Sequence, residues 1–95
     1  MKLIALEHET TTEQADFTTL LKAEAQSTWQ MYYQGLLREA YWDKRQHTAV
    51  LILECDDENQ ARSALDNLPL VKAGLISFEL IPLAPYDGFK RLFSE

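Results

Sequence analysis

Thr48-Ala49-Val50-Leu51-Ile52-Leu53-Glu54-Cys55 runs straight into Asp56-Asp57-Glu58-Asn59, and then into Ala61, Ala64, Leu65 and Leu68. The first segment is continuously apolar from Ala49 to Leu53, which marks a strand covered on both faces. Leu51, Leu53 and Cys55 share one face; Val50, Ile52 and Glu54 share the other. The acidic cluster that follows supplies a cap and first-turn carboxylates for a helix. Its apolar residues fall at i, i+3, i+4 and i+7, a helical stripe. Pro69 is expected to stop that helix, Gly74 to allow a turn, and Leu75 to Leu83 to form a final strand.

Working toward the N-terminus, Ala40-Tyr41-Trp42-Asp43 reads as a strand joined to the first by the polar turn Lys44-Arg45-Gln46-His47. A helix is expected from about residue 11 to about residue 38. Thr10 and Glu13 suit a capping box at its start. Phe17, Leu21, Ala25, Thr28, Trp29, Tyr32 and Leu36 then fall on one stripe, and Gly35 is a mild weakness near the end. Residues 2–8 read as the first strand. Lys2, Ile4, Leu6 and His8 lie on one side of it, and Leu3, Ala5 and Glu7 on the other.

The order is β-α-β-β-α-β, an α+β ferredoxin-like arrangement with a four-stranded antiparallel sheet and two helices on one face. The second sheet face carries aliphatic side chains with nothing to cover them. It therefore predicts a partner, most economically a second copy of the chain. The 95 residues make one domain, 1–95, with residues 82–95 as a C-terminal tail. Pro82 and Pro85 should end strand pairing there. Phe89, Leu92 and Phe93, spaced as one helical turn, should order the tail against the sheet edge or barrel mouth.

Fifteen acidic residues against nine basic ones give a net charge of −6, unsuited to nucleic acid. No apolar run approaches the ~20 residues of a membrane span. Met1 to Leu6 meets Glu7, His8 and Glu9 too soon for a signal peptide, so the cytoplasm is the expected compartment. One cysteine allows no internal disulfide and no thiolate-rich zinc site. Neither a metal nor a cofactor is expected. The chain has no Gly-rich phosphate loop, no Gly-x-Ser-x-Gly and no haem-attachment motif.

Asn67-Leu68-Pro69-Leu70-Val71-Lys72-Ala73-Gly74-Leu75, followed by Phe78-Glu79-Leu80-Ile81-Pro82-Leu83, resembles the C-terminal half of muconolactone isomerase-like proteins. The Pro-x-Val-x-Ala-Gly spacing is also similar to YCII-related proteins. Both groups belong to the dimeric α/β-barrel superfamily, and the resemblance is best over residues 36–86. It implies a homodimer with a shared barrel and a cofactor-free isomerase chemistry. The chain departs from both patterns. Leu68 precedes Pro69, and residues 11–40 hold no histidine, so the His–Asp dyad of YCII-like proteins is missing. Ile4 and Leu6 stand where muconolactone isomerases carry polar side chains.

The groups able to move protons are His8, at the end of the first strand, and Glu54, which interrupts an apolar strand. Glu79 has a similar parity. Trp29, Tyr32, Tyr41 and Trp42 offer walls for a flat hydrophobic ligand, or filler for core and interface. The expected function is small-molecule binding on a muconolactone isomerase-like fold, without demonstrated catalysis. The alternative is a cofactor-free isomerase acting on a small conjugated or aromatic acid or lactone. An ACT-like regulatory domain is a third option, although the His8-Glu9-Thr10-Thr11 loop lacks glycine.

Overall fold

Strand β1 (Lys2–Glu9) lies in the middle of a four-stranded sheet, ordered β2-β3-β1-β4 and antiparallel throughout. The computed structural model describes residues 1–10 and 17–94. Strands β2 (Leu37–Trp42) and β3 (Ala49–Glu54) form a hairpin, and β4 (Ile76–Leu83) closes the far edge. Register fixes the faces. Leu3 pairs with Leu53 and Ala5 with Leu51, both on the helix side, while Ile4 pairs with Ile52 and Leu6 with Val50 on the other. Burial follows this parity: Leu3, Ala5, Leu51 and Leu53 are buried, and their neighbours on the opposite face are only half-buried.

The first helix is shorter than the sequence suggests. Helix α1 spans Leu21–Tyr33, after a turn at residues 18–20. Residues 11–16, where the expected helix start and Glu13 of the capping box fall, lie outside the described residues. The Thr10 hydroxyl donates to the Gly74 carbonyl, which ties the end of β1 to the turn before β4. At the other end Gly35 stops the helix outright. It adopts φ +85, its N–H donates to the Tyr32 carbonyl, and the Leu36 N–H donates to the Met31 carbonyl. That paired closure needs a left-handed residue, which glycine supplies without a steric penalty. Leu37 is consequently the start of β2, with a register irregularity between Leu37 and Glu39.

Helix α2 (Glu58–Asp66) starts where the acidic cluster predicts. The Asp57 carboxylate accepts from the Gln60 N–H at 2.8 Å, and the Asp56 N–H donates to Gln60 Oε1 at 2.6 Å. Ala61 and Leu65 are fully buried against the sheet. Arg62 Nη1 donates to the Phe78 carbonyl at 2.8 Å, tying α2 to β4. Pro69 does not stop this helix, which has already ended at Asp66. It opens a further short helix, α3 (Pro69–Lys72), as its first residue. A first-turn N–H has no partner within the helix, so proline loses nothing there. Gly74, at φ +76, closes α3 by the same geometry as Gly35.

Pro82 also differs from expectation. It lies inside β4, opposite Leu3. β4 is an edge strand, where a missing N–H can face outward without breaking the ladder. The tail ends in a 3-10 turn at Gly88–Phe93, with Tyr86 and Phe89 packed edge to face at 4.9 Å. Phe89, Leu92 and Phe93 remain exposed, at 67%, 78% and 85%, so the tail does not pack on its own chain's sheet.

Candidate functional site

Helix α1 does not lie flush on the sheet. Its inner face presents Leu21, Glu24, Ala25, Thr28, Trp29 and Tyr32, and of its residues Met31 alone is buried. Ala25 and Thr28 are too small to reach the sheet, and Glu24 is a carboxylate. Two points hold the helix in place. Met31 enters the core near its C-terminal end, and near its start Glu24 Oε1 accepts from the Leu70 N–H at 3.0 Å. That amide needs an outside partner, because Leu68 at the cap of α3 has no side-chain acceptor.

Between these points a cavity of about 640 Å³ opens between α1 and the sheet. Its floor is Leu37, Ala40, Leu51 and Phe78, and its walls include Trp29, Tyr32 and Trp42. Volume and apolar lining match pockets that take small organic molecules, ~300–1,000 Å³. Trp29 and Tyr32 stack at 5.7 Å, and Trp42 stacks on His47 at 4.6 Å with ring planes 12° apart. His47 is held for this contact in a tight turn, at φ 56. Its N–H donates to the Asp43 carbonyl at 2.7 Å, and the Asp43 carboxylate accepts from the N–H groups of Arg45 and Gln46. Those two amides hold the Asp43 pKa below its usual value.

Two carboxylates enter this apolar space. Glu7 Oε1 accepts from the Ala49 N–H at 3.2 Å, and Glu24 Oε1 is fixed by Leu70. Burial pushes the pKa of each above the ordinary carboxylate value, and the hydrogen bond to each offsets part of that. The nearby negative charge of Glu9 raises Glu7 further and His47 lowers it, while the charge of Glu7 raises Glu24.

The residues singled out in the sequence fall on two different surfaces. Trp29, Tyr32, Tyr41 and Trp42 all border the cavity. Tyr41 does so from the rim only. It pairs with Val50 on the far face, and its hydroxyl donates to Glu39 Oε1 at 2.5 Å. Trp29, Tyr32 and Trp42 are about 60% exposed, so in the single chain they wall an opening rather than fill a core. His8, Glu54 and Glu79 lie on the opposite sheet face, outside the cavity. His8 Nε2 is 3.2 Å from Glu79 Oε1, and Glu54 Oε1 is 3.5 Å from the N-terminal amine. The cavity carboxylates Glu7 and Glu24 were not singled out, although parity puts Glu7 beside Ala5 and helical spacing puts Glu24 between Leu21 and Thr28. Cys55 is buried, which raises its thiol pKa.

Among the described residues no three His, Cys, Asp or Glu side chains gather as metal ligands would, and no helix is long and apolar enough to cross a membrane. No protein-family model matches the chain, and no curated protein matches it by sequence. Solved structures do. Muconolactone isomerase superposes with a TM-score of 0.77 at 14% identity, over 92% of each chain. The 5-chloro-2-hydroxyhydroquinone dehydrochlorinase of Burkholderia phenoliruptrix, solved with 2,5-dihydroxybenzoquinone, superposes with a TM-score of 0.65 at 14% identity. That match covers 93% of this chain and 98% of the other. At this identity the likeness establishes the fold alone: the chain shares the ferredoxin-like α+β fold of muconolactone isomerase.

Proposed function

We propose that the protein binds a small, flat, hydrophobic molecule in the cavity between α1 and the sheet, and does so as a homodimer. The observation that carries the first part is the 640 Å³ cavity, with Trp29, Tyr32 and Trp42 as walls and apolar side chains as floor. A ring slid among these aromatics would replace their water-exposed faces with stacking contacts. The dehydrochlorinase offers support by analogy of fold, since its structure contains a hydroxylated quinone ring. The homodimer rests on the far sheet face, where Ile4, Leu6, Val50 and Ile52 adjoin and Ile81 and Leu83 are over one-third exposed. A second copy would cover that face and leave the cavity open on the other side of the sheet.

A second reading is cofactor-free proton transfer on a small conjugated substrate such as a lactone. Glu7 and Glu24 favour it: each is anchored through one oxygen to a backbone N–H, and burial raises its affinity for a proton. On this reading the cavity carboxylates exchange protons with the ligand. His8 and Glu54, on the other sheet face, would act only on a molecule held between two subunits.

Binding is tested with a neutral fluorescent probe such as N-phenyl-1-naphthylamine. The wild type should enhance its emission. Ala25→Trp, which fills the cavity from the helix side, should abolish the enhancement while the far-ultraviolet circular dichroism stays unchanged. Equal enhancement by the folded variant would place the probe elsewhere and remove the support for this site.

A further inference from the structure

The charges lining the cavity all have one sign. Among the described lining residues Glu7 and Glu24 are the only carboxylic acids, and none is a lysine, arginine or histidine. Outside the lining, His47 lies against Trp42 and lowers the Glu7 pKa, Glu9 opposes it from the same strand, and Arg62 Nη1 donates to the carbonyl of the lining residue Phe78 at 2.8 Å. Each carboxylate spends one oxygen on a backbone amide, at 3.2 Å for Glu7 and 3.0 Å for Glu24. Among the described residues no donor reaches the second oxygen of either carboxylate.

We propose that the cavity selects a flat aromatic or conjugated molecule bearing a protonated amine, with the ammonium between Glu7 and Glu24 and the ring against Trp29, Tyr32 and Trp42. This rests on the reading of the cavity as the ligand site, and it names the charge of what enters. Two half-buried carboxylates with no basic side chain among the described lining residues repel an organic anion and attract a cation, and the apolar floor weakens the screening that water would give. The three aromatic walls favour the same ligand twice. They stack on its ring, and their faces attract a cation nearby. The chain's net charge of −6 would also draw a cation toward the opening.

The test compares three probes of one shape: benzylamine, benzyl alcohol and benzoate, each titrated at pH 7 by protein-detected NMR. Benzylamine should bind about tenfold tighter than benzyl alcohol, with benzoate weakest. Glu7→Gln and Glu24→Gln keep an oxygen for Ala49 and Leu70, so the fold should persist. Each should lose about tenfold for benzylamine and stay within about twofold for the alcohol, tenfold being ~1.4 kcal/mol. If the alcohol binds at the cavity and the amine no better, or if benzoate matches the alcohol, the charge assignment is overturned while the cavity reading stands. If none of the three shifts cavity resonances, both fall. Should either variant fail to fold, the wild-type ranking of the three probes decides alone.

Discussion

Replacing Ile52 by aspartate should separate the proposed dimer while leaving the chain folded. Ile52 pairs with Ile4 across β1 and with Glu39 across β2, on the sheet face that no helix covers. It is half-buried within its own chain, so about half of the ~1.5–3 kcal/mol for burying an isoleucine remains to be gained at an interface. That is roughly 1 kcal/mol per subunit, counted twice in a two-fold dimer. Aspartate would also bring two unpaired carboxylates into an apolar contact, at roughly 1–3 kcal/mol each even with partial hydration. The sum, about 4–8 kcal/mol, weakens association by about three to six orders of magnitude. Sedimentation velocity between 0.1 and 100 μM should find wild-type dimer throughout and Ile52→Asp monomer, with matching circular dichroism spectra. A monomeric wild type at these concentrations, or an unchanged dimer in the variant, would refute the assignment of this face.

Leu53 is fully buried between Leu3 and Leu37. Leu53→Ala should cost ~2–5 kcal/mol and lower the melting temperature by about 10 °C or more, and a loss below 2 °C would mean the core is elsewhere. Glu7 and Glu24 have folded pKa values raised above the ordinary 4.5, chiefly by burial. The folded state therefore binds more protons than the unfolded state just above pH 4.5, so stability should fall as pH rises through that window and level off above it. Glu24→Gln should flatten this slope and raise the melting temperature at pH 7, and an unaltered profile would contradict the burial of Glu24. Deleting residues 88–95 should loosen the dimer, because Phe89, Leu92 and Phe93 are exposed within the single chain and a partner subunit is what could cover them. Unchanged association would show that the tail takes no part.

The sheet was largely legible in the sequence. The continuous apolar run Ala49–Leu53 and the aliphatic residues on both sides of Lys2–His8 were enough to give the strands, and the two-residue period of any strand gave their faces. Helix ends were harder. The Thr10 hydroxyl also bonds to Gly74, 64 residues away, and no local pattern reports that contact. Gly35 and Pro69 are ambiguous locally: the same residues weaken a helix or punctuate its end. At the site, the stripe Leu21, Ala25, Thr28, Trp29 and Tyr32 was visible, but a stripe does not reveal whether a helix stands against the sheet or apart from it. Glu7 and Glu24 were passed over for that reason. A carboxylate on an inward face makes sense only once a space exists for it to enter.

The most direct test of the account is to locate a bound ligand on the chain by chemical-shift mapping. A saturating small aromatic amine should shift the backbone resonances of Leu21, Ala25, Trp29, Trp42 and Phe78, which surround the cavity, and the indole N–H signals of both tryptophans. The resonances of Ile4, Leu6, Val50 and Ile52 on the far sheet face should stay within a fraction of those shifts. If the large shifts instead fall on Ile4 and Ile52, or on His8 and Glu79, the ligand site is the face between subunits and the cavity under α1 is not where the protein works.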